Sequence, residues 1–136
     1  MTPTLLVIDD NRSVRDSLAL LLVRRGYRVL TAEDGERGLA LVQEQSVDGV
    51  LLDQHMPGMS GLAVCRALTT YAAQRGRPLP IWMMTGARTE ALAAAAVEAG
   101  ALVLLSKPFN YSDLYARLEA ALNQGTGSTL ERPPLV

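Results

Sequence analysis

Three carboxylates, one hydroxyl and one amine stand where short apolar runs of this chain stop. Asp9 and Asp10 follow Leu5–Ile8, Asp53 follows Val50–Leu52, Thr85 closes a run from Ile81, and Lys107 comes just after Ala101–Leu105. A short apolar run that ends abruptly in a polar residue reads as a buried parallel strand delivering that residue to the edge of a sheet. In open α/β sheets, ligands bind just beyond the carboxyl ends of the strands. Carboxylates gathered there raise one another's pKa, and a cation relieves the repulsion. An all-oxygen set selects a hard ion. Mg²⁺ fits, because it uses one or two carboxylates, keeps several waters and takes phosphate oxygens. A lysine point charge and a hydroxyl donor complete a set of groups for positioning and neutralising a phosphoryl group. A carboxylate can itself be the nucleophile and carry an aspartyl-phosphate. Asp53 suits that role best, since it is alone on its strand and an open loop with Pro57, Gly58 and Gly61 follows it. No Gly-rich phosphate loop is present, so a nucleotide is not the indicated ligand.

The elements that must position these residues alternate along the chain. Leu5–Ile8 is a first strand. Val14, Leu18, Leu21 and Leu22 line one face of a first helix, capped by Asp10 or Asn11 and stopped by Gly26. Tyr27–Thr31 is a second strand, and Asp34–Gln45 a second helix with Leu39 and Val42 inward, weakened by Gly35 and Gly38. Val47–Asp53 is the third strand. Ser60 caps a helix that buries Leu62, Cys65 and Leu68, and Gln74–Pro80 is a loop. Ile81–Thr85 is the fourth strand. Thr89 or Glu90 opens an alanine-rich helix that stops at Gly100. Ala101–Leu105 is the fifth strand, and Asn110 caps a last helix with Leu114, Leu118, Ala121 and Leu122 inward.

Strict alternation with short links predicts an α/β fold, a five-stranded parallel sheet covered on both faces. The expected form is a flavodoxin-like (βα)5 three-layer sandwich in strand order 2-1-3-4-5. There strands one and three are neighbours, so Asp9, Asp10 and Asp53 meet. Residues 1–124 form this domain, and 125–136 (GTGSTLERPPLV) read as a flexible tail too short for a further domain.

The chain of 136 residues is 49% apolar and 20% charged, which suits an ordinary globular domain. Its 13 basic and 14 acidic residues give a net charge of −1 without a basic patch, so no direct nucleic-acid partner is expected. The single cysteine, Cys65, rules out an internal disulfide and fits a reducing compartment. No signal peptide and no membrane-length apolar stretch is legible, so a cytoplasmic location without membrane contact is expected.

The segments LLVIDDN, LLDQHMPGMSG, MMTGA and SKPF, in this order and at these separations, resemble the receiver domain of bacterial response regulators. The resemblance covers residues 4–123. It implies a phosphorylatable receiver of a two-component or phosphorelay system that switches partner binding and catalyses only its own phosphoryl transfer and dephosphorylation. Asp53 matches the phospho-acceptor. Asp10 matches the direct Mg²⁺ ligand, Asp9 the second acid, and the backbone carbonyl of His55 the third protein ligand. Thr85 and Lys107 match the hydroxyl and amine that meet the phosphoryl oxygens, and Lys107–Pro108 matches a bond usually cis in the family. The implied donor is a sensor histidine kinase, a phosphotransfer protein or a small phosphodonor such as acetyl phosphate. The implied output is a downstream protein in trans.

The chain departs from the family pattern in places. Leu104 stands where receivers commonly carry an aromatic that swings inward as the threonine moves. Leu102 and Val103 stand where acids are common. With Leu104 they make an apolar run. It reads either as a longer core strand or as a partner face, including a homodimer through the α4-β5-α5 side. His55 and Ala87 stand two residues beyond Asp53 and Thr85, where side chains tune dephosphorylation; with alanine at 87 that control rests on His55. Arg12 is placed to form an ion pair with the acidic cluster. The competing readings are a pseudo-receiver acting as a constitutive interaction module and an aspartate-nucleophile phosphatase. The phosphatase reading lacks its second acid, because His55 holds that position.

Overall fold

The computed structural model describes residues 2–126. The elements are β1 (Thr4–Ile8), α1 (Arg12–Arg24), β2 (Arg28–Ala32), α2 (Gly35–Glu44), β3 (Gly49–Asp53), α3 (Gly61–Arg75), β4 (Ile81–Thr85), α4 (Glu90–Glu98), β5 (Val103–Ser106) and α5 (Tyr111–Thr126). The five strands form one parallel sheet in the order β2-β1-β3-β4-β5, as the sequence predicts.

Every residue of β1, β3 and β4 is buried, which is why these strands read as continuous rather than alternating apolar runs. Successive side chains still point to opposite faces. Leu6, Ile8, Leu52 and Met83 pack with Val42, Cys65, Leu68 and Ala96 under α2, α3 and α4. Leu5, Val7, Leu51, Trp82 and Met84 pack with Leu18 and Leu22 of α1 and Leu114 and Leu118 of α5. Each fully buried leucine or isoleucine contributes about 1.5–3 kcal/mol.

Side-chain caps fix the helix starts. Asn11 accepts from the Val14 N–H (3.1 Å), Ser60 from Ala63 (3.2 Å), Thr89 from Leu92 (3.0 Å) and Asn110 from Asp113 (3.0 Å). The choice at α1 falls on Asn11, which leaves Asp10 unused by the helix. Gly38, read in the sequence as a weakness of α2, is a close approach instead. A Cβ there would collide with the Ile8 side chain, so glycine lets α2 lie close on β1.

Several boundaries move. Strand β2 runs one residue later than Tyr27–Thr31, and β3 begins at Gly49 rather than Val47. The Ala101 N–H donates to the Ala96 carbonyl (3.0 Å) and closes α4, so β5 begins at Val103 rather than Ala101. Helix α5 continues to Thr126, past the predicted boundary at 124, and the rest of the predicted tail lies outside the described residues. Among the described residues no helix is long and apolar enough to cross a membrane.

Candidate functional site

Register builds the site. Ile8 of β1 pairs with Leu52 of β3, so the next residues, Asp9 and Asp53, emerge side by side. Asp53 pairs with Met84 of β4, and Thr85 pairs with Ser106 of β5. The Lys107 N–H bonds the Thr85 carbonyl at 2.8 Å, which brings the lysine to the same edge. The Lys107–Pro108 bond is cis.

The lysine bridges two acids. Its Nζ donates to Asp53 Oδ1 at 2.8 Å and to Asp9 Oδ2 at 3.0 Å. The side chains of Asp9 and Asp53 are 1% and 6% exposed, so this is a buried ion pair whose charges must be matched. The second oxygen of Asp9 accepts the Asn11 N–H at 2.9 Å. Burial pushes the Asp53 pKa up; the Lys107 hydrogen bond opposes this, and the charges of Asp9 and Asp10 add to it. Burial also disfavours the charged lysine. Its hydrogen bonds to Asp53 and Asp9 and their charges outweigh that, and its pKa rises.

Asp10 is exposed beside this pair, and one oxygen from each of Asp9, Asp10 and Asp53 lies within 4.8 Å of the others. Three ionised carboxylates and one ammonium leave two negative charges in an all-oxygen set open to water on the Asp10 side. That donor set fits Mg²⁺, which keeps waters and binds through few carboxylates. The acidic end of β3 is held from behind by α3. The Gly61 N–H donates to the Gln54 carbonyl at 3.0 Å, and a Cβ at Gly61 would lie 2.6 Å from the Asp53 carbonyl oxygen.

Thr85 is fully buried, and its Oγ1 accepts the Ala87 N–H at 3.1 Å. The five residues predicted from strand ends are therefore brought to one edge. His55 is exposed on the loop beyond Asp53 and makes no hydrogen bond or ion pair among the described residues. Ala87 is exposed and meets the site only through its backbone. The Arg12 expectation is corrected. Arg12 pairs with Asp16 (3.4 Å), and it is Arg15 that reaches the site, donating from Nη1 to the Asp9 carbonyl at 2.8 Å. One helical turn separates them; Arg12 is exposed, whereas Arg15 is half-buried.

The apolar run at 102–104 divides. Leu104 is 3% exposed and belongs to the core under α4, so it is removed from the predicted partner face. Val103 is half-buried against the other core layer, and only Leu102 is exposed. The exposed apolar residues on this side are Leu102, Val97 of α4 and Tyr111 of α5; Val97 is hidden in the sequence at the end of an alanine run, and Tyr111 stands between Asn110 and Ser112.

The profile of the response regulator receiver domain matches residues 5–119. This chain belongs to the response-regulator receiver family. Phosphorylation is typical of that family, as is Mg²⁺ binding at an acidic pocket. The receiver is 38% identical over 123 residues to the transcriptional regulatory protein AfsQ1 of Streptomyces coelicolor, covering 90% of this chain and 52% of that protein. It is 40% identical over 126 residues to the response regulator MprA of Mycolicibacterium vanbaalenii, covering 93% and 53%. The chain thus spans about half the length of these curated relatives. Among solved structures, the chemotaxis protein CheY4 of Vibrio cholerae superposes with a TM-score of 0.81 at 30% identity, covering 89% of this chain and 99% of that one. The signal receiver domain of an HD domain-containing protein of Pseudomonas fluorescens does so with 0.85 at 25% identity, covering 93% and 99%.

Proposed function

We propose that this receiver takes a phosphoryl group on Asp53 and uses the modified site to switch protein binding. One observation carries the reading: Lys107 Nζ holds Asp53 and Asp9 together at 2.8 and 3.0 Å, one strand from the buried Thr85 hydroxyl. Lys107 binds Asp53 through Oδ1, which leaves Oδ2 to attack phosphorus. A P–O bond to Asp53 forms, and the bond from phosphorus to the donor breaks, its electron pair leaving with the donor. With acetyl phosphate the leaving group is acetate; with a histidine kinase or phosphotransfer protein it is the histidine nitrogen. Asp9, Asp10, Asp53 and the His55 carbonyl are the residues that would hold Mg²⁺, which when bound neutralises charge on the transferring oxygens.

The aspartyl-phosphate adds roughly −1.5 to −2 charges beside Lys107 and Thr85. Lys107 pairs with the new anion, and the Thr85 hydroxyl turns to donate to it. The exposed His55 side chain is placed to tune attack by water, and the decay of the adduct in His55→Ala reads that role. The chain is not an enzyme toward any other substrate in this reading. Its output is a protein contacting the α4-β5-α5 side, in trans or as a second copy. The test is incubation with acetyl phosphate and Mg²⁺, followed by intact mass, for wild type and Asp53→Asn. The competing pseudo-receiver rests on Leu104, fixed in the core where a switch residue is expected. The same measurement separates the two.

A further inference from the structure

Leu104 is already inside the core, so no inward swing at that position can report on Thr85. Another link between the strand ends is in place. In the loop between β4 and α4, three consecutive residues are tied to three different parts of the domain. The Ala87 N–H donates to Thr85 Oγ1 at 3.1 Å. Arg88 Nε donates to the Leu104 carbonyl of β5 at 3.4 Å. Thr89 caps α4 through the Leu92 N–H at 3.0 Å. Gly86, which precedes them, has open space around it.

We propose that Arg88 is a positioning residue that latches the β4–α4 loop onto β5 in the resting state, and that this latch replaces the missing aromatic switch. The inference rests on phosphorylation at Asp53. When the Thr85 hydroxyl turns toward a phosphoryl oxygen, the Ala87 N–H follows the oxygen it is bonded to. Arg88 is the next residue. Its bond to the Leu104 carbonyl is at the long limit of a hydrogen bond, so a shift of the loop toward Asp53 breaks it. Breaking it frees the Leu104 carbonyl of β5 and the Arg88 guanidinium. The latch therefore opposes phosphorylation, and the phosphorylated state releases it.

The test uses the full chain as wild type, Arg88→Ala and Arg88→Lys. The readouts are the rate of phosphorylation by acetyl phosphate at saturating Mg²⁺, the affinity for beryllofluoride as a phosphoryl mimic, the affinity for Mg²⁺ alone, and thermal stability. Arg88→Ala is expected to raise the rate and the beryllofluoride affinity about three- to tenfold, the net worth of one ordinary hydrogen bond, since this one is long and only part-buried. Arg88→Lys, which keeps a cationic donor, falls between it and wild type. Mg²⁺ affinity stays at the wild-type value, and the folding equilibrium weakens by no more than the same three- to tenfold, because the resting fold loses the same bond. A rate and affinity in Arg88→Ala that equal or fall below wild type overturn the latch, as does a parallel change in Mg²⁺ affinity. Wild type that takes up neither phosphoryl group nor beryllofluoride overturns the phosphorylation reading and the latch with it. Wild type that takes up both while Arg88→Ala matches it overturns the latch alone.

Discussion

At the scale of single residues, the site depends on Lys107 offsetting only part of the charge around it. Burial raises the Asp53 pKa above the usual 3.8, and the acids nearby add to that against the lysine's pull. A carboxyl with a raised folded-state pKa binds more protons in the native state than in the unfolded one between those two values. The metal-free fold therefore loses stability as pH rises through that window. Removing the charge removes the loss. Asp53→Asn is expected to melt above wild type at neutral pH without Mg²⁺, with the gap closing once the pH falls below 3.8, followed by circular dichroism. Equal melting at neutral pH would contradict the electrostatic account. Asp9, Asp10, Asp53, Thr85 and Lys107 were legible in the sequence because each interrupts or ends an apolar run. Arg15 and Arg88 were not, because their partners are the backbone carbonyls of Asp9 and Leu104, which leave no mark on residue type.

At the scale of elements, strand ends and helix starts were legible where one residue does one job. Asn11, Ser60 and Asn110 each cap a helix named in advance. The start of β5 was not legible, because Ala101 continues the apolar run while its N–H still closes α4, and Leu102, which already bonds the Ile81 carbonyl, precedes the strand itself. The junction of β3 and α3 was half legible. Gly61 read as a loop breaker, yet its task is to let the helix start touch the acceptor strand, with a Cβ position only 2.6 Å from the Asp53 carbonyl oxygen. That neighbour is backbone and cannot turn aside. Gly61→Ala is expected to cost about 1–3 kcal/mol in urea unfolding, the usual cost of overpacking, and to slow phosphorylation by displacing Asp53. An alanine variant with unchanged stability and unchanged phosphorylation rate would show that the contact is not tight.

At the scale of the whole molecule, alternation with short links made the parallel, doubly covered sheet legible, and the strand order came from the flavodoxin-like form that such a chain takes. The apolar run at 102–104 defeated the sequence because a buried edge strand and an exposed contact face have the same composition; only the register of β5 on β4 separates them. The two readings now sit on different residues. Leu104→Glu places a carboxylate in the core under α4 and is expected to unfold the domain. Leu102→Glu, on a side chain 53% exposed, is expected to stay within about 0.5 kcal/mol of wild type by thermal melting. The reverse order would contradict the burial of Leu104 that the pairing of β5 on β4 imposes. The central claim joins all three scales: one residue, Asp53, on the strand ends that the fold gathers, takes a phosphoryl group. Intact mass after incubation with acetyl phosphate and Mg²⁺ tests it most directly. The account expects wild type to gain the mass of one phosphoryl group and Asp53→Asn to gain none; no gain in wild type, or the same gain in Asp53→Asn, would contradict it.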